Sequence, residues 1–246
     1  MDERTSGLIL RTRPLTETSL IVNWLTQDLG RMATVAKGAR RPKSPFRGKL
    51  DLFYFADFSF ARSRRSDLHN LREVSLRETR DALRHELAYL QQAAYCASLI
   101  EQTTETETPL PAIFQLLNGF LAQLTQAPPQ PGTVFMFEIK LLNELGLKPD
   151  LKEARLSPGA KSSLDYFLAN DWPALPPLRL SEPQVFELRH YLHEFLLCHL
   201  GKVPRGRATA LAQSPMEARF REELPPAHPA VQARPTDDGQ KLEETP

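Results

Sequence analysis

The hydrophobic period of this chain changes near residue 80, and no single type of secondary structure accommodates both sides of the change. From Gly7 to about Arg77 the apolar residues alternate or form short runs: GLILRTR, TSLIVNWLT, RMATVAKG, LDLFYFADFSFAR and LREVSLRE. β-Branched and aromatic residues dominate these runs, as a pleated, half-buried surface favours. In the fourth run Leu52, Tyr54, Ala56, Phe58 and Phe60 share one parity, which predicts one long strand with a single core face. Pro14, Asp28-Leu29-Gly30 and a segment containing Pro42 and Pro45 separate the runs. Five strands within about 75 residues predict a small closed barrel.

Beyond residue 80 the spacing becomes helical. Leu83, Leu87, Leu90, Ala94 and Ala97 step by three or four and predict an amphipathic helix reaching about Thr104. Pro109 and Pro111 open a second helix through Phe114, Leu117, Leu121 and Leu124, which APPQPG closes. TVFMFEIKLLNELG is apolar nearly all round, so it belongs at the centre of a bundle, with Gly146 as its C-terminal stop. Ser157 before Pro158, and Ser181 before Glu182-Pro183, read as N-caps of two further helices. From Pro204 onward seven prolines and scattered large apolar residues predict a tail that cannot bury enough surface to order itself. The fold class expected is α+β: a five-stranded barrel over residues 1–79, an all-helical domain over 80–205 and a disordered tail over 206–246.

The net charge of +1 conceals an asymmetry: residues 1–80 carry +7 and residues 81–246 carry −6. Basic charge concentrated in one region is what recognition of nucleic acid or an anionic surface requires. No apolar stretch approaches the roughly 20 residues that span a bilayer, and the N-terminus MDERTSGLILRTR reads as neither a signal nor a transit peptide. A cytoplasmic, nucleoid-associated protein without a membrane partner is expected. The two cysteines, Cys96 and Cys198, lie in helical patterns and read as core thiols rather than a disulfide.

Catalytic constellations are near misses. A P-loop would need glycine at position 43 and Ser or Thr at position 50, where this chain has Lys43 and Leu50. ELRHYLHEFLLCH gathers His190, His193, Cys198 and His199 with Glu187 and Glu194, but lacks HExxH spacing. At 100° per residue Val185, Leu188, Leu192, Phe195 and His199 define the apolar face of that helix, which leaves His190, Glu187 and Glu194 in solvent. No G-x-S-x-G motif occurs. A non-enzymatic protein is expected, with no catalytic residue, no metal and no cofactor; a metal-dependent hydrolase using the histidine helix is the weaker alternative.

AKGARRPKSPFRGKL, residues 36–50, carries Lys37, Arg40, Arg41, Lys43, Arg47 and Lys49 with no acidic side chain. Such a run is either a solvated loop or a surface for a polyanion. With Arg31 and the RSRR turn (Arg62, Arg64, Arg65) it could form one basic side of the barrel. Single strands are held by cations tracking phosphates and by aromatics stacking on bases. Trp24, Phe46, Phe53, Tyr54 and Phe55 are the aromatics available. Each reads first as core; Phe46, inside the basic loop, is the best stacking candidate.

The stretch from GLILRTRPLTETSLIVNWLTQDLGRMATVAKGARRPKSPFRGKL to DLFYFADFSF resembles the N-terminal OB-fold domain of the RecO family of bacterial recombination mediators, VAKGARRPKS most specifically. The resemblance continues through FEIKLLNELGLKPDL, LSPGA and the last helix ending HLG, about residues 6 to 205. It implies a non-enzymatic protein that binds single- and double-stranded DNA and promotes annealing. It further implies that the protein acts with RecR to load RecA on DNA coated by single-strand-binding protein. Many members carry a four-cysteine zinc site before the LSPGA helix, whereas GLKPDLKEARLSPGA contains no cysteine. An OB-type RNA-binding module in translation or RNA processing would use the same barrel and loop.

Overall fold

The computed structural model describes residues 2–172 and 180–212. Five strands, β1 (Asp2–Pro14), β2 (Leu20–Thr26), β3 (Gly30–Ala36), β4 (Phe55–Ala61) and β5 (Leu68–Glu78), close into a barrel in the order β1-β2-β3-β5-β4. All neighbours are antiparallel except β3 and β5, whose parallel pairing of Ala33 with Leu68 and Val35 with Asn70 closes the ring. This five-stranded Greek-key closure is the OB architecture. Inward parity fills the barrel with Ile9, Val22, Trp24, Met32, Ala56, Phe58, Phe60, Leu71 and Val74. Trp24 stacks on Phe58 with ring centroids 4.0 Å apart, and its indole N–H donates to Thr34 Oγ1 at 2.8 Å, so the buried donor is satisfied.

The long strand expected from residue 50 is shorter than its alternation implied. Ala56, Phe58 and Phe60 hold the predicted parity, but residues 51–54 form a turn in which Phe53 takes a φ of 63°. Phe53 N donates to Ile9 O at 2.8 Å, and the ring leaves the barrel for the core beneath the helices. Leu8 and Leu10 of β1 and Leu25 of β2 face the same way, so one flank of the barrel is buried on both sides.

Among the described residues a 3₁₀ turn (Asp81–Arg84) and six α-helices follow: α1 (Leu87–Thr103), α2 (Pro111–Gln123), α3 (Pro131–Glu144), α4 (Pro158–Ala169), α5 (Glu182–Leu200) and the single turn α6 (Arg207–Ala210). α3 is buried nearly all round at the centre, as its composition requires, and Gly146 follows it at φ 74°. Ser157 Oγ accepts from Ala160 N at 3.3 Å, and Ser181 forms a capping box with Gln184.

Three expectations are corrected. The core face of α1 runs through Tyr89, Ala93, Cys96, Ala97 and Ile100, while Leu87 is 61% exposed and Ala94 faces solvent. Small residues let α1 lie against α2, α3 and α6 together; Leu83, Leu90 and Ala97 of the predicted stripe stay in or against the core, and only Leu87 and Ala94 leave it. The core face of α5 gains Leu196, with Phe195 half-buried against the core, whereas His199 and Cys198 are exposed; of the two cysteines, Cys96 alone is a core thiol. The helical domain also runs past 205: Ala210 and Leu211 are buried in its core, and Arg207 is held by Glu138. The rest of the expected tail, residues 213–246, lies outside the described residues.

Candidate nucleic-acid interface

Strand register fixes where the basic residues lie. Pro14 pairs with Leu20 and Leu20 with Ala36, so the β1–β2 turn and the 37–54 connection leave the same end of the barrel. Thr26 pairs with Gly30 and Ala33 with Leu68, which puts the β2–β3 and β4–β5 turns at the other end. The six loop residues therefore do not share a side with Arg31 and the 62–65 turn. Alternation gave the faces of the strands but not their order, and the order decides this.

At the first end the connection is an ordered series of tight turns. Arg41 N donates to Gly38 O, Ser44 N to Arg41 O, Arg47 N to Ser44 O and Lys49 N to Phe46 O, at 3.0 to 3.2 Å. Arg40 N donates to Thr18 O at 3.0 Å, fastening the loop to the β1–β2 turn. Lys37, Arg40, Arg41, Lys43 and Arg47 are exposed, and Lys49 is half-buried with its ammonium on Val74 O at 3.1 Å. None of the six forms an ion pair with a described carboxylate. A notch of about 450 Å³ opens between loop and turn, lined by Leu15, Thr16, Ser19, Lys37, Gly38 and Arg41. Arg13, opposite Ile21 near the same barrel end, is also exposed and unpaired among the described residues. Sequence reasoning passed over Arg13 because it is isolated along the chain; its place in the ladder joins it to the loop.

At the other end Arg31 and Arg62 are engaged within the protein. Arg31 Nε donates to Thr104 Oγ1 at 2.7 Å and its Nη2 to Thr104 O, bracing the barrel against the segment after α1. Burial lowers its pKa, only partly opposed by Glu101. Gly30, at φ 69°, is required here, since a Cβ would lie 2.0 Å from Thr108 O. Arg62 donates to Glu3 at 2.8 Å and to Glu107 at 2.9 Å. Those hydrogen bonds, the one to Glu3 first, raise the Arg62 pKa, and the Arg62 bond lowers that of Glu3. Glu107 also meets the Nε2 of buried His69 at 2.5 Å, while His69 Nδ1 accepts from Ser63 N at 3.2 Å. Arg64 and Arg65 remain exposed at this end, with no ion pair among the described residues.

The aromatics are elsewhere engaged. Phe46 is 6% exposed and belongs to the barrel core, so the stacking role considered for it is corrected: its basic neighbours are surface, but the ring is a plug. Trp24 and Phe53 are buried. Tyr54 and Phe55 are half-buried, with the guanidiniums of Arg84 at 4.8 Å and Arg77 at 5.7 Å over their rings.

Two family models match the chain in succession: the recombination protein O N-terminal model over residues 1–80 and the C-terminal model over residues 84–154. The chain belongs to the RecO family. The DNA repair protein RecO of Bacillus pumilus is 28% identical over 208 residues, 81% of this chain and 80% of its own length. That of Anaeromyxobacter dehalogenans is 32% identical over 148 residues, 60% of this chain and 58% of its own. The junction between the two RecO models falls where β5 gives way to the first helical turn.

The four-cysteine zinc site of many RecO proteins does not fit the residues present. The α3–α4 connection has no cysteine and closes on itself through Leu147 N to Leu142 O at 2.8 Å and Lys152 N to Asp150 Oδ1 at 2.8 Å. Among the described residues no three His, Cys, Asp or Glu side chains converge, and no helix is long and apolar enough to cross a membrane.

Proposed function

We propose that this RecO-family chain is a DNA repair protein acting as a recombination mediator: it binds and anneals DNA strands, and works with RecR to load RecA on DNA coated by single-strand-binding protein. It makes or breaks no covalent bond. The observation that carries the reading is the ordered loop of six cations without carboxylate partners, on a barrel where most other arginines are paired. Cations so placed neutralise phosphates on two strands and lower the repulsion that opposes their approach. Its place of action on this reading is the nucleoid.

The test is annealing of complementary strands coated with the cognate single-strand-binding protein. The intact chain should accelerate it, and RecR should extend the effect to RecA filament formation. No acceleration at any protein concentration would remove the reading.

A further inference from the structure

We infer that the loop face recognises the sugar–phosphate chain alone, reading and stacking no base. The inference rests on the DNA-binding reading above and specifies what part of the strand is held. Sequence-tolerant binding of single strands ordinarily combines a cationic groove with aromatic platforms. Here the cationic part is present and the platforms are not.

Every ring of the barrel domain is accounted for among the described residues. Trp24, Phe46, Phe53, Phe58 and Phe60 are 6% exposed or less, and the imidazole of His69 is 2% exposed. Tyr54 and Phe55, the two half-buried rings, are each covered by an arginine, and Phe55 also faces Phe114 of α2 at 6.2 Å. Base edges are read by amide and carboxylate side chains as well as by arginine. Residues 36–50 contain no Asn, Gln, Asp or Glu, and Ser44 Oγ already accepts from Phe46 N at 3.2 Å.

The remaining charged groups of the loop are cations, and two of their guanidiniums are held by backbone oxygens. Arg40 Nη1 is tied to Thr16 O and Arg47 Nη1 to Pro42 O, each at 3.3 Å, while Arg41 lies within about 4 Å of the Gly38 position. Arg40, Arg41 and Arg47 are exposed, so their other N–H groups stay open to a ligand. Such donors suit phosphate oxygens, which every strand presents whatever its bases. Bases are then left exposed for pairing, the condition annealing requires.

A competition experiment with the full chain decides this. Fluorescently labelled oligothymidylate is displaced by unlabelled oligothymidylate, by a chain of abasic tetrahydrofuran nucleotides with the same number of phosphates, and by inorganic polyphosphate. The abasic chain should compete within about twofold of oligothymidylate, with the same salt dependence, and polyphosphate should displace both. A stacked base would instead weaken the abasic competitor about tenfold or more, and that result overturns the inference while leaving DNA binding intact. Failure of oligothymidylate itself to bind would remove the functional reading and this one together. The R40A/R41A/K43A variant should lose affinity for all three ligands in parallel; loss for oligothymidylate alone would also overturn it.

Discussion

The basic loop and the centre of the helical domain use arginine in opposite ways. In the loop Arg40, Arg41 and Arg47 stand in water without carboxylates, fastened at most to backbone oxygens. Beneath α1, Arg207 grips Glu138 with two parallel hydrogen bonds of 2.7 and 2.8 Å, donates to Arg189 O at 3.0 Å, and shares Glu138 with Tyr95 at 2.5 Å. Glu138 is fully buried and Arg207 nearly so. Burial works to lower the Arg207 pKa, and the adjacent carboxylate more than reverses it. A charge without a partner is available to a ligand, whereas a buried charge with every donor satisfied is committed to holding the chain in place.

Breaking the buried pair should have the largest effect. Glu138→Ala leaves Arg207 uncompensated, and a loss of about 3–5 kcal/mol in urea unfolding is expected. The salt dependence of DNA binding by the folded fraction should not change. Glu138→Leu with Arg207→Met together should cost less than either single change, because no charge is then stranded. A single substitution costing under about 1 kcal/mol would mean that the pair is not closed to water.

The loop should behave in the reverse manner. Replacing Arg40, Arg41 and Lys43 with alanine should make the salt slope shallower by roughly 2 to 3 units, at about 0.7 per phosphate on single strands and 0.9 on duplex. Stability should change by no more than about 0.5 kcal/mol per site. A folded variant with an unaltered slope would reduce the loop to a solvated surface.

Arg31 tests the boundary between these two classes. It stands in the basic half of the chain, yet its guanidinium is spent on Thr104. Arg31→Ala should cost about 1–3 kcal/mol by stranding buried acceptors at the barrel–helix junction, with no change in salt slope. The opposite pattern, a stable protein with a shallower slope, would return Arg31 to the interface.

These assignments mark where the sequence was legible. The change of period named both domains, and local signals named the caps, since Ser157 and Ser181 act on groups within three residues. Barrel parity was legible at Ala56, Phe58 and Phe60, where strand geometry alone decides the face. What escaped was long-range pairing. Arg31 and Thr104 are 73 residues apart, and Glu138 and Arg207 are 69 apart, with nothing local to mark either match. The parallel β3–β5 closure separated basic clusters that a list of charges had placed together. Arg207 falls in the segment whose composition predicts a tail, because the carboxylate that holds it, Glu138, lies in the middle of another helix.

The smallest effect is expected at Arg62, where charge is present but already matched. Its partners Glu3 and Glu107 are each 39% exposed, so Arg62→Ala should cost within about 1 kcal/mol at neutral pH. Because the Arg62 bond holds the Glu3 pKa below its ordinary value, the stabilisation is present above the unfolded carboxylate value, about 4.3. It is lost as pH falls through the lowered folded value, when Glu3 takes up its proton. The difference in unfolding midpoint between parent and variant should therefore shrink on acidification as Glu3 takes up its proton. Removing a matched cation also releases two carboxylates, so the salt slope should fall by less than one unit, if at all. A slope change equal to that of one loop residue would show that DNA displaces the glutamates from Arg62, and the far end of the barrel would then belong to the interface.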